Sequence, residues 1–136
     1  MTGVEAVFGT AYGDLGLAVL RIIVGGVFVS HAVPKIEDPH STRSFFSSVG
    51  LPDSMYLVYL AIGIEVVAGT MLALGLYTQL AGLALTAFML VATYIAVERM
   101  DKDFEGGYEV DLLLLAASFM YYLNGPGMYA LDAVIR

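Results

Sequence analysis

Three basic side chains, Arg21, His31 and Lys35, lie inside the oily stretch LRIIVGGVFVSHAVPKIEDPH, which is long enough to cross a bilayer. At about 100° per residue they share one broad stripe of a helix with Gly25 and Phe28. A charge at the centre of a membrane helix costs about 2.5–3.5 kcal/mol even on insertion scales, so this stripe is expected to face the protein interior and to meet carboxylates there. The candidates are Glu65 in the middle of a second apolar run, Glu98 at the end of a third, and Glu109 and Asp111 at the start of a fourth. Such a set suggests proton-coupled binding. Glu65, Glu109 and His31 would exchange protons, histidine being the side chain suited to that task near neutrality. Arg21 and Lys35, with Glu98 and Asp132 beside them, would hold an anionic donor or polarise a carbonyl oxygen.

Depth, at about 1.5 Å per residue, sorts the pairs. Lys35 and His31 are expected level with Glu98, Glu109 and Asp111. Arg21 lies about 9 Å inside the opposite face, and its partner is either Glu65 near the midplane or, by snorkelling, Asp132. Glu109 and Asp111 are about 200° apart on a helix, so only one of them points inward. The bland alternative is that these charges are ion pairs fixing helix register, with Lys35 snorkelling from a helix end.

The elements that must position these groups are membrane helices. Of 136 residues, 59% are hydrophobic and 14% charged, and the mean hydropathy is +0.80. Four apolar runs approach the ~20 residues needed to span a bilayer, at about 15–35, 54–76, 78–97 and 108–124. They are continuous rather than alternating, which excludes a β-barrel and leaves helices as the way to satisfy the backbone in lipid. The connection IEDPHSTRSFFSSVGLPD carries Phe45 and Phe46, a pair suited to the interface, and ends in Asp53 and Ser54 as candidate caps. GLYTQ forces a tight hairpin between the second and third runs, ERMDKDFEGG joins the third and fourth, and NGPG ends the last. The expected architecture is an all-α integral membrane protein, an antiparallel four-transmembrane-helix bundle with both termini on one side. Lys35, Arg43, Arg99 and Lys102 on the long-loop side, against Arg136 and Arg21 on the other, place the long loops in the cytoplasm. The opening MTGVEAVFGTAYGD has no basic n-region and carries Glu5 and Asp14, so the first helix is expected to remain in the mature protein.

Other chemistries are poorly served. There is no cysteine, only His31 and His40 as imidazoles, and no metal-ligand spacing, so thiolate, metal and bis-histidine haem sites are not expected. The net charge of −7 argues against nucleic acid as a partner. Tyr94, Tyr108, Tyr121, Tyr122 and Tyr129 near helix ends suit an interfacial belt, or alternatively the flanks of a quinone head group.

The blocks LRIIVGGVFVSHAVPKI, AIGIEVVAGTMLALGLYTQLAGLALTAFML, GGYEVDLLLLAAS and GPGMYALDA, in this order and spacing, resemble the DoxX family of small four-helix bacterial and archaeal membrane proteins. The pattern maps onto Arg21, Gly25, Phe28, His31, Pro34, Lys35, Glu65, Gly69, Gly75, Glu109 and Asp132, with Ala32 and Ala130 departing from it. The resemblance implies a multi-pass protein of a prokaryotic plasma membrane, related to membrane subunits of thiosulfate:quinone oxidoreductase or of assemblies handling thiol and oxidative stress. It also implies Glu109 as the inward carboxylate and Asp132 as the partner of Arg21. A chain without cysteine, haem ligation or a flavin motif has no covalently bound electron store, so a redox role requires a membrane quinone and a second oxidoreductase subunit. The competing function is a non-catalytic scaffold or small solute carrier, with or without homo-oligomerisation.

Overall fold

The computed structural model describes residues 10–135, so Glu5 and Arg136 lie outside it. Among the described residues every regular element is helical. Helix α1 runs Thr10–Glu37 with Pro34 inside it. A short helix α2, Pro39–Ser48, follows at once. Asp38 caps it by accepting the Ser41 amide at 3.0 Å, and Pro39 opens the first turn, where a missing N–H costs nothing. The predicted cap at the next helix does not form in that way. Asp53 is held instead by Arg43 at 2.6 Å, and Ser54 makes no side-chain capping bond.

Helix α3, Met55–Leu74, contains one wide turn with i→i+5 hydrogen bonding over Ile64–Ala68. It ends in a Schellman turn at Gly75, whose φ of 69° only glycine adopts cheaply, with Gly75 N–H bonded to Leu72 O and Leu76 N–H to Met71 O. Two residues further on helix α4, Thr78–Glu98, begins. An irregular turn over Phe104–Tyr108 leads into helix α5, Glu109–Asn124, and a single turn α6, Leu131–Ile135, closes the described chain.

Helices α1, α3 and α4 are long and apolar enough to cross a membrane. Helix α5 has 16 residues, about 24 Å, which is shorter than the ~30 Å hydrocarbon layer. It packs along α4, while α1 packs on the second half of α3. Val24, Phe28, Leu72, Leu85, Met89 and Leu114 meet between them as the main core. Phe46 of α2 forms a smaller one with Val58 and Ala61. Large apolar side chains elsewhere point outward, among them Leu80, Leu90 and Leu113, as surfaces facing lipid tails do.

The crossing of α1 and α3 sets the register of the whole site. A Cβ on Gly25 would overlap Gly69 O and the backbone of Ala73, so the two helices touch main chain to main chain. Gly25→Val is therefore expected to lower stability by about 2–3 kcal/mol, read as a lowered unfolding midpoint in detergent, because the obstruction is backbone and cannot rotate away.

Candidate functional site

The polar groups inside the helices form two separate clusters, at opposite ends of α1. In the first, Arg21 is 2% exposed and each of its three side-chain nitrogens donates to a main-chain carbonyl. Nε lies 3.3 Å from Ala73 O, one terminal nitrogen 2.7 Å from Pro126 O, and the other 2.7 Å from Tyr129 O. Asp132 acts on the guanidinium through its charge. Its carboxylate accepts from the backbone N–H of Tyr77 at 2.6 Å and of Thr78 at 2.9 Å, capping α4 from more than fifty residues away. Its own amide donates to Gly75 O at 2.8 Å. Asp14 of α1 accepts from Met128 N at 3.1 Å, and the Tyr121 hydroxyl donates to Leu17 O. The segment after α5 is thus buttoned onto α1 and onto the α3–α4 turn. Asp132→Ala, which strands two amide donors at a helix start, is expected to cost about 2 kcal/mol in the unfolding midpoint, and Asp132→Asn less, since its carbonyl still accepts one of them.

In the second cluster Lys35 meets Glu65. The ammonium is 3.1 Å from Oε1, to which it donates a hydrogen bond, and 3.0 Å from Oε2. It also donates to the carbonyl of His31, one turn back, at 2.9 Å. That carbonyl lies on the same face of α1, where a lysine stem folded back toward the helix N-terminus reaches it as a second acceptor. Glu65 is 2% exposed and stands on the wide turn of α3. One-turn widenings of this kind recur at functional sites because they re-aim a side chain out of the regular repeat. Its Oε2 is buried and, among the described residues, receives no hydrogen bond, only the ammonium's charge. Lys35 keeps 20% of its side chain exposed. His31, close enough for its charge to act on Glu65, is exposed.

These positions correct the expected pairs. Lys35 and His31 do not meet Glu98 or Glu109, and Arg21 does not reach Glu65. Depth counting aligned the end of the first helix with the start of the second, but α2 intervenes and α3 overhangs α1. Gly25 against Gly69 and Ala73 then places Glu65 beside the turn of His31 and Lys35. Glu98 is exposed at the end of α4. Glu109 is half-buried, and its Oε1 accepts the Gly106 amide at 2.9 Å, holding the entry to α5. Tyr121 is fully buried in the core rather than part of an interfacial belt. Sequence patterns also missed the carbonyl cradle of Arg21 and the role of Asp14; the one available hint was the GPG triplet, which marks a tight, main-chain-rich segment. Among the described residues, no three histidine, aspartate or glutamate side chains come together as metal ligands would.

A DoxX family model matches residues 16–98, the region that contains both Arg21 and the Lys35–Glu65 pair. The chain belongs to the DoxX family. DoxX relatives match it along most of their length. The protein provisionally named oxidoreductase CatD of Bacillus subtilis is 34% identical over 122 residues, covering 90% of this chain and 88% of its own. An uncharacterized membrane protein of Mycobacterium tuberculosis is 27% identical over 136 residues, covering 90% and 82%. The inner membrane protein YqjF of Escherichia coli is 22% identical over 124 residues, covering 90% and 94%. No solved structure matches this DoxX chain.

Proposed function

We propose that this DoxX protein is the membrane subunit of a quinone-linked oxidoreductase system acting on a sulfur compound or thiol, and that Lys35, Glu65 and His31 form its working site. The observation that carries this reading is the buried ion pair on the wide turn of α3, in which the Lys35 ammonium faces both carboxylate oxygens, 3.1 Å from Oε1 and 3.0 Å from Oε2, and hydrogen-bonds only the first. A lysine ammonium has three N–H donors, and two of those on Lys35 have acceptors among the described residues. Among the described residues Glu65 Oε2 takes no hydrogen bond, with the same ammonium 3.0 Å away. A quinone oxygen or an anionic donor would take an N–H of Lys35, and a quinol hydroxyl would bridge the ammonium and Oε2 once the ion pair separates. A bound quinone would supply the electron-accepting chemistry that this cysteine-free chain lacks. The residues' part is to hold the oxygen at Lys35, to keep a proton acceptor at Glu65, and to pass protons outward by way of the exposed His31. A second subunit would deliver the donor.

In this reading α5 is the fourth crossing of an antiparallel four-helix bundle in a prokaryotic plasma membrane, lengthened at its start by the Phe104–Tyr108 turn, with the long loops cytoplasmic. Arg21 and Asp132 lie at the opposite end and hold the fold, while Glu98 and Glu109 stand apart from the site. The name of the CatD relative supports an oxidoreductase over a scaffold. The deciding experiment is turnover of thiosulfate with a decyl-quinone acceptor, using protein purified with its co-isolating partners. Glu65→Gln, an isosteric change, is expected to lower kcat by at least about 100-fold, the scale of a lost general acid–base group, while the protein still folds. Unchanged turnover in the folded variant would overturn the proposal, and a scaffold would instead lose assembly.

A further inference from the structure

The Lys35–Glu65 pair, with Oε2 3.0 Å from the ammonium and without a hydrogen bond among the described residues, also defines what charge state a ligand must have. We propose that this site takes up a weak acid as anion plus proton: the anion docks on the Lys35 ammonium and the acid's proton passes to Glu65 Oε2. The inference rests on the same site as the proposed function but not on a quinone.

The reason is charge balance. Among the elements packed on the wide turn, α1 presents Lys35 and His31, and α4 carries no charge from Thr78 to Val97. Lys35 is the hydrogen-bonded cation of Glu65, and His31 is an exposed neighbour. An anion arriving at the ammonium without a proton would set two anions against one buried cation, and in a low dielectric a like-charge pair at hydrogen-bonding distance is strongly repulsive. Protonating Glu65 removes that repulsion. The acid's O–H bond breaks, an O–H bond forms at Oε2, and no electrons change hands. The ion pair Lys35–Glu65 is replaced by Lys35–anion, so the net charge of the site is the same before and after. The geometry suits this exchange, because Oε2 lies 3.0 Å from the ammonium and takes no hydrogen bond among the described residues, so when the pair separates an acidic O–H can hand its proton to Oε2 while the ammonium holds the conjugate oxygen. Entry is from the side of His31 and the exposed part of the Lys35 stem.

A carboxylic acid from water and one from the membrane offer the same chemistry, so the test uses benzoate and laurate as probes on the full chain in nanodiscs. Calorimetry in two buffers of different ionisation enthalpy is expected to show uptake of about one proton per anion bound, with affinity falling about tenfold per pH unit between about pH 6 and 8. Binding of benzoate supports a water-soluble ligand, and binding of laurate alone supports a lipid-derived one. Glu65→Gln is expected to abolish proton uptake and flatten the pH dependence, Lys35→Gln to abolish binding, and His31→Gln to leave about one proton taken up. If Glu65→Gln does not fold, the infrared difference spectrum of the unaltered protein decides instead, with a new protonated-carboxyl stretch expected on binding. Binding without proton uptake, binding of neither probe, or loss of uptake in His31→Gln would overturn the inference. Quinone turnover is scored separately: turnover that needs Glu65 alongside proton-free anion binding sinks only the inference, and proton-coupled anion binding without quinone turnover sinks only the proposed function.

Discussion

Replacing Lys35 by methionine is expected to destabilise the protein by about 3–5 kcal/mol, the cost of leaving a buried partner charge uncompensated. Glu65→Leu should cost a similar amount, because the ammonium is then left against an apolar wall with only the His31 carbonyl as acceptor. The double variant, Lys35→Met with Glu65→Leu, is expected to return to within about 1 kcal/mol of the original, since a well-packed apolar pair replaces a buried ion pair at little net cost. Reversible unfolding in mixed micelles measures all three, and the large coupling between the sites is the quantity to extract. The double variant matters most for function. It separates holding the helices together from binding and proton exchange: restored stability with no turnover assigns the pair to chemistry, and restored stability with full turnover assigns it to the fold.

At the other end of α1, Arg21→Leu is expected to cost about 4 kcal/mol. Three carbonyls in partly buried bonds, of Ala73, Pro126 and Tyr129, lose their donor together, and an unsatisfied buried group costs about 1–3 kcal/mol. Arg21→Lys should recover less than half of this. A guanidinium is a rigid fork that can serve three acceptors arranged around it, whereas an ammonium is a compact point charge on a flexible four-carbon stem with a shorter reach. Thermal unfolding in detergent gives the magnitude. Limited proteolysis gives the place, because the segment from Gly125 to Ile135 should become the first site cut once its tie to α1 is gone. Activity assayed at a temperature where the variant remains folded should be much less affected than in the Glu65 variants.

The helices were legible in the sequence because apolar runs, glycines and prolines state their limits locally. Even there the structure adds length to α1, which begins by Thr10 and continues to Glu37. The inventory of working side chains was legible too, since an ionisable residue in an apolar run stands out. Partner choice was not. Which carboxylate faces Lys35 depends on how far α3 slides along α1, and that is set by two glycines whose contact is a tertiary fact. The wide turn under Glu65 leaves no composition signal, because Ile64–Ala68 reads as ordinary helix. The partners of Arg21 were invisible for a simpler reason: carbonyl oxygens belong to every residue, so a cradle made of them has no residue type to search for. Tyr121 shows the opposite error. Position near a helix end pointed to the interface, yet the ring is enclosed and its hydroxyl finds the Leu17 carbonyl.

The cap on α4 has a bearing on how the chain is made. Synthesis delivers α1, α3 and α4 to the membrane in that order, but the carboxylate that receives the Tyr77 and Thr78 amides sits at residue 132. Two of the carbonyls that satisfy Arg21, those of Pro126 and Tyr129, also come late. Until the ribosome has released those residues, the nascent hairpin carries an incompletely satisfied arginine and an uncapped helix start near one membrane face. That end of the α1–α3–α4 assembly is therefore completed only once the segment 126–132 has been made, and a chain cut before Pro126 would lack every one of these late ties.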